Sequence, residues 1–298
     1  MKPVGVVGTG LMGTAVAKRL RGAGFPVHGL DADPQKAQGI ETLGGAVAPS
    51  VAALVAACDV VFLCVFDTQQ VEDVVEGKGG ILEAQRSRPG GVTVVCTSTC
   101  DPDRIAALAG RLAGSGVRFI EMPVSGTSLQ VANGDGVGLV AGERADVDAI
   151  APVLDAVCPS RHYIGAAGNG GRAKLAVNLV LGLNRGALAE GLVLAERLGL
   201  DPVAFLGVLK GSAAYSQVMD VKGEKFAKRE FDKVQSRVDQ SLKDFTLMLE
   251  QARARGQALP FASVYVELLK GCVAHGEAQQ DNAAILAEIA RRRTAGKA

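Results

Sequence analysis

Up to about residue 165, short runs of apolar residues alternate with stretches whose apolar positions recur every three or four residues. Val4–Val7, Val27–Leu30, Val60–Phe66, Val92–Cys96, Arg118–Glu121, Gly138–Ala141 and His162–Ile164 read as strands. Between several of them, Thr14–Ala23, Val51–Ala57, Asp103–Ala113 and Asp146–Ala156 read as amphipathic helices. Such alternation builds βαβ units on a mostly parallel sheet, so residues 1–165 are expected to form a doubly wound α/β domain.

After Gly165 the strand signal stops. Arg172–Leu198 is one long helical pattern with few charges. A helix that is apolar nearly all round needs cover, either inside a domain or at a subunit interface, and this one predicts a homodimer or homotetramer. Asp201-Pro202 then reads as an N-cap followed by proline at the first helical position. Further helices are expected over Pro202–Leu209, Gln217–Lys228, Gln240–Arg255, Pro260–His275 and Asn282–Arg292, the last capped by Asp281. Residues 166–298 are therefore expected to form an all-α domain, with a frayed tail from Arg291 to Ala298.

Composition narrows the partners. With 32 basic and 31 acidic residues the net charge is +1, which gives no electrostatic case for nucleic acid or an anionic membrane. The absence of tryptophan and an aromatic content of 4% weaken a base-stacking role further. Met1–Gly8 is too short and glycine-rich for a signal-peptide core, and no run reaches about 18 uninterrupted apolar residues. The expectation is a soluble cytoplasmic protein whose Cys58, Cys64, Cys96, Cys100, Cys158 and Cys272 are reduced thiols. His28, His162 and His275 are scattered, and no metal site is expected.

Three segments carry chemistry. Gly8-Thr9-Gly10-Leu11-Met12-Gly13 follows the first strand and opens a helix, and Asp31 lies 18 residues beyond Gly13 at the end of the second strand. That context is what a dinucleotide fingerprint requires: glycines let a pyrophosphate approach helix N–H groups, and a carboxylate accepts from the adenosine ribose. Asp31 favours the 2'-hydroxyl of NAD over the 2'-phosphate of NADP, and the next residue, Ala32, offers that phosphate no cation.

The second segment, Glu121-Met122-Pro123-Val124-Ser125-Gly126-Thr127-Ser128, places hydroxyls and small residues after a strand, where open α/β sheets bind ligands. By itself it also fits a polar turn. In the third, Gly168-Asn169-Gly170-Gly171-Arg172-Ala173-Lys174, Lys174 and Asn178 share one face at the start of the long helix. A lysine on an apolar helix either snorkels to the surface or exchanges protons with a substrate.

Taken in order, these segments resemble the β-hydroxyacid dehydrogenase family. The likeness runs through Leu11-Met12-Gly13, Ser98-Thr99 with Pro102, Pro123-Val124-Ser125-Gly126, Lys174 with Asn178, Lys243-Asp244 and Asp281. It implies a Rossmann-type domain with a helical partner and hydride transfer between NAD(P) and a small β-hydroxy acid or the matching aldehyde. By the same resemblance Lys174 is the catalytic lysine and Asn178 orients substrate. Ser125 and Gly126 hold the substrate carboxylate with Thr127 as a further donor. Lys243 reaches the site from the helical domain, beside substrate and cofactor, its alternative being a solvated charge next to Asp244. Val65 and Thr99 join Gly8, Gly10, Leu11, Met12, Gly13 and Asp31 as cofactor residues.

Several positions depart from the commonest family pattern: Thr127-Ser128, Met122, Val177 and Cys96. The hydroxyl at Thr127 and the valine at 177 resemble the glyoxylate/succinic semialdehyde reductase branch, whereas Asp31 resembles the NAD-using hydroxyisobutyrate branch. A semialdehyde reductase is thus the alternative to a hydroxyisobutyrate-type dehydrogenase, and a non-catalytic dinucleotide-binding scaffold is the alternative outside enzymology. Imine reductases share the architecture, but Lys174 weighs against them.

Overall fold

Val4–Val7 is buried at every position, as a strand covered on both faces must be. It forms β1 at the middle of a sheet in the computed structural model, which describes residues 1–292. The first compact unit ends at Lys174 and the second begins at Leu175.

In the first unit, β1 leads to α1 (Leu11–Gly22), β2 (Val27–Leu30), α2 (Pro34–Thr42), β3 (Ala46–Val47), α3 (Val51–Ala57) and β4 (Val60–Leu63). There follow α4 (Thr68–Glu76), α5 (Ile81–Gln85), β5 (Val92–Cys96), α6 (Pro102–Arg111), β6 (Val117–Glu121) and β7 (Val124–Ser125). The unit continues with α7 (Ser128–Asn133), β8 (Val137–Ala141), α8 (Arg144–Ala149), α9 (Ala151–Val157) and β9 (Ser160–Gly165). The strand order is β3-β2-β1-β4-β5-β6-β8-β7, with β9 on β8. The six strands β1 to β6 run parallel, as the alternating pattern predicts.

Beyond β6 the sheet departs from that pattern: β8 pairs antiparallel with both β6 and β7. A two-residue strand such as β7 has no period to read. The expected strand Val60–Phe66 stops at Leu63, because the chain then turns toward the Asp67 cap of α4. The expected helix Asp146–Ala156 is two helices, broken at Ile150. Pro152 has no N–H to donate and fits only a first turn, so the helix restarts there.

Apolar side chains pack both faces of the sheet, one core around Val6, Leu20, Phe62 and Val124, the other around Leu54, Leu63, Val94 and Ile105.

The long helix α10 (Asn169–Arg197) starts in the first unit. The second unit adds α11 (Pro202–Lys210), α12 (Gln217–Lys228), α13 (Val238–Ala254), α14 (Pro260–Ala274), a 3-10 turn (Asn282–Ala284) and α15 (Ile285–Arg291). Its core joins Phe226, Phe245, Tyr265, Leu269 and Ile285. Asp281 caps the 3-10 turn as expected, accepting from Ala283 N–H at 3.1 Å. Of the tail expected to fray, Arg291 closes α15 and residues 293–298 lie outside the described residues.

Candidate active site

The carboxyl ends of β1, β2, β4, β5 and β6 lie side by side, and the strand order reverses direction between β1 and β4. Open α/β sheets place their ligands at such a switch point. The turn out of β1 is built for close approach. A Cβ on Gly13 would lie 1.8 Å from the Gly8 carbonyl oxygen, so only glycine lets α1 cross the turn there. Gly8 sits at φ 85°, and a Cβ on it would lie 2.7 Å from the carbonyl of Cys64.

Gly10 differs from both, since a Cβ there would meet nothing within 4 Å. It is also the N-cap of α1 and offers no side chain, so the first-turn N–H groups remain to be satisfied by an anion. Leu11 is exposed and Met12 half-buried beside them. At the end of β2, the Asp31 carboxylate accepts the Thr9 N–H at 2.6 Å and the Asp33 N–H at 2.9 Å. Each carboxylate oxygen has a second lone-pair site, so Asp31 can still accept a hydroxyl. These groups fit a dinucleotide: open space over an uncapped helix start, and a half-buried carboxylate one strand away.

Val65 and Thr99 extend the same edge. The Ser98 hydroxyl donates to the Val65 carbonyl at 2.7 Å and the Thr97 hydroxyl to the Leu63 carbonyl at 2.9 Å, joining the segments after β4 and β5. Thr99 is buried.

The β6–β7 segment carries the proposed carboxylate loop. Ser125 ends β7, half-buried, and Gly126 makes the following turn at φ 141°. Thr127 is a helix cap: its hydroxyl accepts from Gln130 N–H at 3.2 Å, and its own N–H donates to Gln130 Oε1 at 2.9 Å. Its backbone N–H is thereby engaged, leaving the hydroxyl proton as its donor.

Lys174 does not snorkel. It is 7% exposed, and its Nζ donates to the Val124 carbonyl at 2.6 Å, one residue before Ser125. The structure thus brings Lys174 and the Ser125-Gly126 loop together within the first unit. Within the second, Asn178 Nδ2 donates to Asp244 Oδ2 at 3.3 Å, and Lys243 Nζ pairs with Asp244 Oδ1 at 3.0 Å. The Lys243 side chain is 20% exposed. Asp244, buried, organises both residues and went unnamed among the site residues.

Glu121 was missed altogether as a working residue. It is 3% exposed, and its carboxylate accepts the N–H groups of Gly168 and Gly171 at the start of α10. Burial pushes its carboxyl up, against the pull of those N–H groups. At the cofactor edge, burial pushes the Cys64 thiol up to about 12, and Cys96 is raised by its hydrogen bond to Cys100 and by burial.

Comparison with known proteins gives the family. Residues 3–165 match the family described as the NAD binding domain of 6-phosphogluconate dehydrogenase. Residues 168–289 match the one described as NAD-binding of NADP-dependent 3-hydroxyisobutyrate dehydrogenase. The chain belongs to the β-hydroxyacid dehydrogenase family. It is accordingly an NAD(P)-dependent oxidoreductase acting on the CH–OH group of hydroxy acids.

Among its β-hydroxyacid dehydrogenase relatives, the 2-hydroxy-3-oxopropionate reductase of Escherichia coli is 30% identical over 95% of each chain. The L-threonate dehydrogenase of Cupriavidus necator is 31% identical over 95% of this chain and 94% of that one. The structure of 3-hydroxyisobutyrate dehydrogenase from Salmonella typhimurium superposes with a TM-score of 0.87 at 26% identity, covering 96% of this chain and 99% of that one.

Proposed function

We propose that this β-hydroxyacid dehydrogenase oxidises a short hydroxy acid, of the size of glycerate, 3-hydroxyisobutyrate or threonate, with NAD as its preferred partner. The observation that carries the reading is the buried Lys174 amine, held on the Val124 carbonyl beside the Ser125-Gly126 loop. When bound, the nicotinamide accepts a hydride from the carbinol carbon or returns it. Ser125, the Gly126 N–H and the Thr127 hydroxyl bind the substrate carboxylate. Lys174, as the free amine, takes the hydroxyl proton when the acid is oxidised, and as the ammonium returns it when the aldehyde is reduced. Asn178 and Lys243 are both tied to Asp244 within the helical unit.

The preference for NAD rests on Asp31. Its carboxylate repels a 2'-phosphate, and the neighbouring Asp33 caps α2 by accepting Gln35 N–H at 2.9 Å. The assembly we propose is a homodimer or homotetramer. Helix α10 is long and apolar enough to cross a membrane, and only 22% of its most apolar stretch is buried within the chain. Val180 and Leu194 are 58% and 60% exposed, a patch that a second copy would cover. Six free thiols suit the reducing cytoplasm as the working compartment.

The test follows reduced-nicotinamide absorbance over a panel of 3-hydroxyisobutyrate, 3-hydroxypropionate, 4-hydroxybutyrate, glycerate, threonate and glycolate, with NAD and NADP in parallel. A signal that vanishes in Lys174→Ala and is stronger with NAD supports the reading. Turnover with aldehydes such as succinic semialdehyde or glyoxylate alone would move the assignment to the reductase branch. Silence across acids and aldehydes would end it.

A further inference from the structure

Helix α10 starts at Asn169, so Gly168 is its N-cap and Gly171 its third residue. Those are the two N–H groups that a capping box satisfies reciprocally, with side chains at both positions. Here both positions are glycine and have nothing to offer. Glu121 supplies both halves from 47 and 50 residues away, taking the Gly168 N–H on Oε2 and the Gly171 N–H on Oε1, the latter at 2.9 Å. A carboxylate at a helix start also meets the positive end of the helix dipole. The fit leaves no slack: a Cβ on Gly170 would lie 3.0 Å from Glu121 Cβ, and one on Gly171 would lie 3.2 Å from Glu121 Oε1.

Three residues after Glu121, the Val124 carbonyl accepts the Lys174 ammonium at 2.6 Å. The single segment from Glu121 to Val124 therefore grips the start of α10 twice, once by backbone and once by the lysine head. A helix capped by its own preceding residues would be free to slide along the strand end and carry the amine with it. Capping from the strand removes that freedom.

We propose that Glu121 is a positioning residue that sets the Lys174 amine against the Ser125-Gly126 loop, through the start of α10. The proposal rests on the reading of Lys174 as the proton-exchanging group, but its effect on the amine is measurable without turnover. The measurement is trace acetylation with acetic anhydride, each lysine read by mass spectrometry. Lys2, with its side chain 75% exposed, is the reference, and Lys222, 4% exposed in the helical unit, reports global unfolding.

In Glu121→Gln one helix N–H loses its acceptor, and Lys174 acetylation should rise roughly tenfold while Lys2 and Lys222 stay at wild-type values. Glu121→Asp keeps the charge but is shorter, and should give an intermediate rise. On turnover of glycerate and 3-hydroxyisobutyrate, Glu121→Gln should lower kcat roughly ten- to a hundredfold with dinucleotide affinity unchanged. Deuterium on the carbinol carbon should then slow kcat more than in the wild type, as a hindered chemical step requires. A mere loss of folded enzyme would leave that isotope effect where it was.

Unchanged Lys174 acetylation in a folded Glu121→Gln overturns the proposal whatever the activity. Exposure of Lys222 in both variants overturns it too, making Glu121 a determinant of the fold. Normal turnover in Lys174→Ala would sink the role given to the lysine, and the acetylation pattern would still report what Glu121 does to it.

Discussion

Thr9 donates its backbone N–H to the Asp31 carboxylate at 2.6 Å, so the residue proposed to meet the ribose also holds the glycine turn in shape. The two duties separate by substitution. Asp31→Asn keeps an acceptor for Thr9 and removes the charge, so the ratio of kcat/KM for NADP to that for NAD should rise roughly tenfold. Asp31→Ala also leaves the N–H of buried Thr9 unmade, which costs about 1–3 kcal/mol and should weaken both cofactors. Steady-state kinetics with each cofactor decides it; an unchanged ratio in Asp31→Asn means that Asp31 does not read the ribose.

Lys174→Ala should lower kcat by roughly a hundredfold to ten-thousandfold, the usual worth of a general acid or base. Dinucleotide binding, followed by fluorescence of the reduced cofactor, should stay near wild type, because the lysine lies outside the β1–α1 turn. Near-normal turnover would remove Lys174 from the chemistry.

Deep in the helical unit, Lys222 donates to Asp281 at 2.7 Å and to Asn282 Oδ1 at 2.6 Å, and the Gln235 N–H donates to Asp281 Oδ2 at 2.8 Å. Burial pushes the Asp281 carboxyl up, but Lys222 and the backbone N–H groups outweigh it and hold the carboxyl below its ordinary value of 3.8. The stability it contributes is present at neutral pH and is lost as pH falls below that value. For Lys222, burial lowers the ammonium from 10.5 to about 8 despite Asp281. The folded state sheds that proton first, so this contribution to stability rises with pH from about 8 to 10.5. Urea unfolding against pH should show both limbs. Lys222→Met should abolish the alkaline one, and Asp281→Ala should cost about 3–5 kcal/mol by stranding a buried cation.

Sedimentation velocity should find a dimer or tetramer, with Leu194→Glu shifting it toward the monomer and lowering its melting temperature. A wild-type monomer at micromolar concentration would refute the proposed assembly.

Much of this was legible in the chain because its determinants are local. The switch from a short apolar run to a helical period across Gly8–Gly13 announces the β1–α1 turn, and four-residue spacing puts Lys174 and Asn178 on one face. What went unread depends on distance along the chain. Glu121 looks like a polar strand end until its partners, 47 and 50 residues away, are beside it. Asp281 reads as a cap and is one, but its ion pair with Lys222 spans 59 residues. Thr127, given as a substrate donor by resemblance, is also the N-cap of α7, and Gln130 completes its capping box.

The state of the thiols has a practical corollary. Five of the six cysteines are buried, and burial holds Cys58, Cys64 and Cys272 near 12 and Cys158 near 11, far from the thiolate that alkylating reagents attack. At neutral pH a single cysteine introduced on the exposed surface would outreact these four by a wide margin. These four thiols would thus add little background to a spin label or fluorophore placed where it is wanted.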